Sequence, residues 1–269
     1  MFRPSPGSEV SEVRLRQPRL AEMVASILRD RILRGELKDG DALPNQDELL
    51  HEFQVSKPSL REALGILEAE GLVTVQRGNR GGALVHVPTA AGAAYMIGLV
   101  MQYRQVPYDD VAEALKRLEP VCVALCATRE DRKKTVLPQL NLIHEQTLAA
   151  VDDEVEFTRV TRAFHQELVN LCGNQTLILI TGTLESLWST REQAWAATAT
   201  ESGAFPEVKH RETGIKAHAR IMRLISDGDP ESLEQFARSH LENTLHHGTT
   251  PRPVEVAPPP RPHTTPLSL

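Results

Sequence analysis

Residues Leu43 to Val87 read LPNQDELLHEFQVSKPSLREALGILEAEGLVTVQRGNRGGALVHV, and how they are read decides the fold. Two short helical patterns flank a tight break, and two apolar strands around a Gly-rich turn follow at once. Asn45, with Glu48 three residues on, has the spacing of a capping box, and Leu49, Leu50 and Phe53 supply an apolar face. Ser56 is a good N-cap, and Pro58 is tolerated in a first helical turn, where its missing N–H is not needed. Leu60, Leu64 and Leu67 then fall in one apolar line, which leaves the N-terminal end of this helix free to meet DNA. Gly71 ends the helix, and Leu72 to Gln76 can pair with Ala83 to Val87 across Arg77-Gly78-Asn79-Arg80-Gly81-Gly82. This is the outline of a winged helix-turn-helix with a basic wing.

Upstream, Leu20, Met23, Val24, Ile27, Leu28 and Ile32 recur at helical spacing, and Gly35 supplies a stop. Residues 1–18 lack periodicity and are expected to be a flexible arm, so the winged module is placed at 19–88. Pro88-Thr89 and the Ala/Gly run to Ala94 mark a junction, with a linker or connecting helix at 89–107. Beyond it the helical candidates are 92–104, 109–128, 131–150, 153–172, 175–198, 206–227 and 230–246. An all-α bundle over 108–247 is therefore expected, and the fold class is mainly α: three helices and a two-stranded wing, then helices only. Residues 248–269 hold seven of the 18 prolines and are expected to be a disordered tail.

A chain of 269 residues suits about two domains. Its 41% hydrophobic, 25% charged and 4% aromatic residues are those of a soluble protein with mainly aliphatic packing. A net charge of −6 argues against coating nucleic acid nonspecifically, without excluding a sequence-specific binder with a local basic surface. Cys122, Cys126 and Cys172 are not expected to form a disulfide framework; no signal peptide is expected ahead of them, and a reducing compartment is expected. The most apolar run, Ala91 to Met101, is too short to cross a bilayer, so a cytoplasmic protein without membrane contact is expected.

With ILRGEL, DGDALP, VSKPSLREAL, LEAEGLV and RGNRGG in place, residues 19–87 resemble the GntR winged-helix regulators. The helical remainder, with Phe164-His165, Gly173-Asn174, His218, Gly228-Asp229 and His240-Leu241, resembles the FCD-type ligand-binding domain of the FadR branch. The resemblance implies a homodimeric transcription regulator, most simply a repressor, on a pseudo-palindromic double-stranded operator. It also implies a small-molecule effector in the helical domain that changes operator affinity.

On this resemblance the DNA contacts map onto Ser56, Lys57, Pro58, Ser59 and Arg61, with Arg77, Gly78 and Arg80 on the wing. Arg61 is the best candidate base reader, because a bidentate Arg on a guanine edge gives roughly 1–3 kcal/mol of discrimination. Ser56 and Lys57 fit phosphate contacts, which fix register. The alternative is that Arg61 forms a helix-surface ion pair with an acid such as Glu62 or Glu68. Two positions depart from the family: Asp47 stands where many members carry a DNA-contacting Arg, and Pro58 replaces a frequent hydroxyl residue.

His165, His218 and His240 lie on three predicted helices, and the last two are 240 − 218 = 22 residues apart, as in metal-binding members of the branch. Neutral imidazoles are strong ligands for a divalent cation, zinc or nickel first. Three readings stay open: a three-histidine metal site, a metal-free polar pocket, or unrelated histidines. Thr161 stands where metal-binding members have an aspartate. Members that sense small carboxylates place an Arg four residues before the Glu of the first effector-domain helix, and counting back from Glu119 gives Leu115. Lys116 and Arg117 point elsewhere on the helix. Thr161, Leu115 and Arg117 are accordingly expected to belong to the effector pocket, and an acyl or aromatic effector is expected rather than a small hydroxy acid. Cys122 and Cys126 read as packing groups, and Trp188 and Trp195 as core or dimer interface rather than pocket. The rival functions are a metal-dependent hydrolase, which lacks an HExxH-type base, and an architectural DNA-binding protein without a sensor.

Overall fold

The computed structural model describes residues 20–75, 82–88, 90–245 and 253–256. The chain divides into two compact units, Met1–Pro88 and Thr89–Leu269. The arm expected at 1–18 and the DNA contacts expected at Arg77, Gly78 and Arg80 lie outside the described residues, as does most of the tail.

The first unit comprises α1 (Leu20–Leu33), α2 (Gln46–Phe53), α3 (Lys57–Ala69), β1 (Val73–Val75) and β2 (Ala83–Val85). Asn45 Oδ1 accepts from the backbone N–H groups of Asp47 and Glu48, both at 3.0 Å, while Glu48 Oε2 accepts from Asn45 N at 2.9 Å. The capping box thus satisfies donors at the start of α2 that have no partner within the helix. Gln54 ends α2 in the left-handed region at φ 51°, and Ser56 starts α3. Leu28, Leu60, Ala63, Leu67 and Val85 are fully buried in one cluster, so α1, α3 and the wing share a core. The strands are antiparallel, with Val73 opposite Val85 and Val75 opposite Ala83. Glu68 accepts from Val75 N at 2.9 Å and joins the end of α3 to the wing.

The second unit comprises α4 (Ala90–Tyr103), α5 (Tyr108–Thr128), α6 (Val136–Ala149), α7 (Glu154–Asn170), α8 (Gln175–Glu201), α9 (Val208–Asp227) and α10 (Pro230–Thr244). Helix α5 packs against α10, and α7 against α8. Pro120 lies inside α5, where it cannot donate to Lys116 O; the guanidinium of Arg238 on α10 donates to that carbonyl at 3.2 Å instead. Gly228 closes α9 at φ 74°, and a Cβ there would stand 2.7 Å from Arg132 Nη2, so both conformation and space call for glycine. Asp229 then caps α10, and Pro230 opens its first turn.

Residues 253–256 depart from the expectation of a disordered tail. Val254 is fully buried, its N–H donates to Val106 O at 2.8 Å, and Tyr108 Oη donates to Glu255 O at 3.0 Å. An extended segment starting at Pro253 matches the extended backbone at Val106 and Pro107, and Val254 fills the cluster of Leu115, Leu187, Trp188 and Leu241. Proline content therefore misjudged these four residues.

Candidate functional site

In the second unit, Asp153 caps α7 by accepting from Glu156 N at 3.0 Å, and one face of α7 then carries Phe157, Thr161 and His165 at successive four-residue steps. Helix α9 offers Arg211, Gly214 and His218 to the same space, and α10 offers His240. These residues line a cavity of about 1000 Å³. The three histidines are buried, and one nitrogen from each lies within 4.8 Å of the others.

The donor set fits a divalent cation. His165 Nε2 and His218 Nε2 are 3.3 Å apart. Two nitrogens bound tetrahedrally to one zinc, each at about 2.0–2.1 Å, stand roughly that far apart. His165 Nδ1 lies 2.5 Å from Glu119 Oε1 on α5, the outer carboxylate that fixes a ligating imidazole's ring and tautomer. His218 stacks on Phe164 with ring centroids 4.0 Å apart, which sets its plane. His218 Nδ1 and His240 Nε2 are buried without a hydrogen-bond partner. Thr161 lines the cavity and its buried Oγ1 is also unpartnered, so the position that departs from the family faces the site.

Behind the histidines lies a charged cluster that sequence reading missed. Arg162 on α7 is buried and pairs with Glu185, also buried, on α8; its Nε is 3.5 Å from Glu192. Burial opposes the Arg162 charge, but Glu185, Glu192 and Glu119 more than offset it. Burial pushes Glu119 and Glu185 each up to about 7, against the pull of Arg162. The histidines move the other way. Burial, helped by Arg162, lowers His165 to about 3; burial and the neighbouring His165 lower His240 to about 3. Burial followed by His165 and His240 holds His218 well below its ordinary value. The imidazoles are therefore neutral, the form that ligates.

This gives a pH prediction. An unfolded chain's imidazoles bind protons from about 6.5 downward, whereas the folded ones refuse them until about pH 3. Unfolding then takes up protons, so metal-free protein loses stability steadily as pH falls through that window, with no such loss above it. Glu119 and Glu185 have the opposite sign: stability is lost as pH rises from their ordinary 4.5 through about 7. Urea unfolding across pH checks this, because His218→Phe removes one of the three imidazoles and should make the acid-side loss shallower. An unchanged acid-side slope contradicts it.

Two pocket expectations are corrected. Leu115 is fully buried in the apolar cluster with Leu187 and Trp188, one turn short of Glu119, and does not line the cavity. Arg117 points to solvent and pairs with Glu113 at 2.8 Å. The cationic groups on the cavity come instead from α7 and α9: Arg162, Arg211, Lys216 and Arg220. Trp188 is core as expected, whereas Trp195 lines the cavity beside Phe205. Burial raises Cys122 and Cys126 to about 12 each, and Cys126 Sγ donates to Leu168 O, consistent with packing groups.

In the first unit, Ser56 Oγ accepts from Ser59 N at 3.4 Å and caps α3, while Lys57, Pro58 and Arg61 are exposed around that helix start. Among the described residues Arg61 forms no ion pair, and Glu68 is engaged by Val75 N. Asp47 is exposed in the first turn of α2.

Comparison with known proteins matches these two units separately. A family described as bacterial regulatory proteins, gntR family, matches residues 20–83, and the FCD domain matches residues 110–243. The HTH-type transcriptional repressor NanR of Klebsiella aerogenes is 28% identical over 242 residues, covering 88% of each chain. NanR of Salmonella newport is 29% identical over 234 residues, covering 85% of each. Streptococcus agalactiae GntR shares the fold, with a TM-score of 0.63 at 20% identity over 82% of this chain and 97% of that one. Among the described residues no helix is long and apolar enough to cross a membrane. With a winged helix-turn-helix ahead of an FCD domain, the chain belongs to the GntR family, in its FCD-bearing FadR branch, and is a DNA-binding transcription regulator, not an enzyme.

Proposed function

We propose that the protein is a cytoplasmic, homodimeric repressor that grips a pseudo-palindromic operator with α3 and the wing. In this reading His165, His218 and His240 hold a divalent cation, zinc or nickel, and an effector entering the cavity beside them changes operator affinity. The observation that carries the sensing half is the convergence of three neutral, buried imidazoles on a cavity of about 1000 Å³. A bound cation would supply a positive centre for a ligand oxygen or nitrogen. The chain's own residues orient the rings, through Glu119 and Phe164, and keep bulk water from their inner side. A purely architectural DNA-binding protein would have no use for this constellation.

Dimerisation is supported by an uncovered apolar face. Met96, Ile97, Leu99, Val100 and Tyr103 of α4 are exposed, and so are Leu179 and Ile180 on α8, which packs against α4. Exposed apolar side chains on two helices that pack together are a common mark of an interface. Repression as the sign of regulation rests on the NanR relatives, which are named repressors.

The DNA half is tested by footprinting the purified protein on DNA selected from random sequence, which should protect two symmetric half-sites. Arg61→Ala should weaken operator binding by about 1–3 kcal/mol and relax preference at one base pair of each half-site. Lys57→Ala should instead weaken all sequences alike and flatten the salt dependence. Unchanged affinity and preference in Arg61→Ala would remove it as a base reader.

A further inference from the structure

The cavity has a second polar end. Arg211 lies seven residues before His218 on the same face of α9, about 10 Å along the helix axis. It is only 8% exposed, and its guanidinium sits over the Phe205 ring at 5.4 Å. Nη1 donates to Val151 O at 2.5 Å, which ties the group to the loop before α7. Nη2 is 3.6 Å from Glu154, beyond hydrogen-bonding reach, and the buried Nε has no partner. The Nε–Nη2 edge is one that takes a carboxylate through two parallel bonds. Arg29 uses this same edge on Glu70 at 2.7 and 2.6 Å. In Arg211 the same edge makes no hydrogen bond: Nε is unpartnered, and Nη2 holds only the longer ion pair with Glu154.

Between the two ends stands Gly214. A Cβ there would meet nothing within 4 Å, so the missing side chain leaves the middle of the trough clear. Phe157, Trp195, Phe205 and Phe236 give the walls apolar surface. Four cationic side chains line the cavity (Arg162, Arg211, Lys216 and Arg220) against two carboxylates, Glu192 and Glu207. Arg162 already pairs with Glu185 and Glu192, Arg211 with Glu154 and Lys216 with Glu212, so the case for an anion rests on the unpartnered Nε of Arg211 and not on net charge.

We propose that Arg211 forms an anion-reading subsite remote from the histidines, so that the effector is an elongated dianion with an apolar middle, of which a long α,ω-dicarboxylate is the simplest member. One end lies at the histidine centre and the other on the Nε–Nη2 edge of Arg211. The inference rests on the reading of the cavity as the effector site, and it replaces the expectation of a plain acyl or aromatic compound with a rule of length and terminal charge.

The test is isothermal titration of zinc-loaded, full-length protein with suberate, octanoate and succinate. Suberate should bind roughly tenfold to hundredfold more tightly than octanoate, the range for one charged hydrogen-bonded contact. Succinate is too short to span the trough and should also bind more weakly. Arg211→Gln should bring suberate down to the octanoate level while leaving octanoate unchanged. Gly214→Leu should fill the trough and abolish binding of both eight-carbon ligands, without lowering the melting temperature or the zinc stoichiometry. Equal affinity for suberate and octanoate, or a preference that survives Arg211→Gln, overturns the inference alone. Failure of the same protein to take up zinc overturns this inference and the metal reading together.

Discussion

Replacing Arg162 with alanine will destabilise the protein by about 3–5 kcal/mol at pH 8, because it strips the cation from a buried cluster of carboxylates. Glu185 and Glu192 pair with Arg162, and Glu119 lies close enough to shift with them. Glu119 and Glu185 are fully enclosed, and Glu192 is only 6% exposed, on the cavity wall. The loss should shrink as pH falls, since Glu119 and Glu185 already sit near 7 and can take up protons in place of the lost charge. Arg162→Lys should recover only part of the loss, because an ammonium cannot present the guanidinium's separate donors to two carboxylates. Urea midpoints at pH 5 and pH 8 read the result. A loss below about 1 kcal/mol at pH 8, the range for an exposed pair, would mean that the cluster is solvated in solution.

His218→Phe is expected to abolish stabilisation by zinc while leaving the metal-free protein close to wild type. Phenylalanine keeps a ring against Phe164, where His218 stacks at 4.0 Å, but offers no nitrogen to a cation. A cation that binds the folded state alone stabilises wild type by about 2.7 kcal/mol at a hundredfold excess over its Kd. Thermal unfolding with and without zinc after chelation should therefore show a large upward shift for wild type and almost none for the variant. Equal shifts would place the zinc elsewhere.

The first unit was legible because each local signal agreed with the others. Asn45 and Glu48 at capping-box spacing, Ser56 before Pro58, and the line of Leu60, Leu64 and Leu67 all specify the same two helices, and the structure forms them there. The breaks at Pro107 and Gly228-Asp229-Pro230 were equally plain, since backbone chemistry acts locally. The three histidines were found through family resemblance and spacing, and only packing of α7, α9 and α10 brings them together.

The charged cluster was not legible. Arg162, Glu185 and Glu192 look like solvated helix positions, and nothing in their own stretches signals that α7 and α8 bury them against each other. The cavity cations were hidden for a related reason: the family position, four residues before Glu119, is Leu115 in this chain, which carries its cavity cations on α7 and α9. Glu119 served only as a landmark in the sequence, and in the structure it holds His165. Val254 escaped because composition describes a segment's average, and a single buried valine with one backbone hydrogen bond is enough to dock it.

The central claim is that His165, His218 and His240 form one metal centre in the sensing domain. The most direct measurement is cobalt substitution of metal-free protein, followed by absorption spectroscopy and elemental analysis of wild type and His218→Phe. The account predicts one cobalt per chain in wild type, with a visible spectrum of nitrogen-ligated Co²⁺, and neither in the variant. A wild-type protein that binds no cobalt, or a variant with the wild-type spectrum, would contradict it.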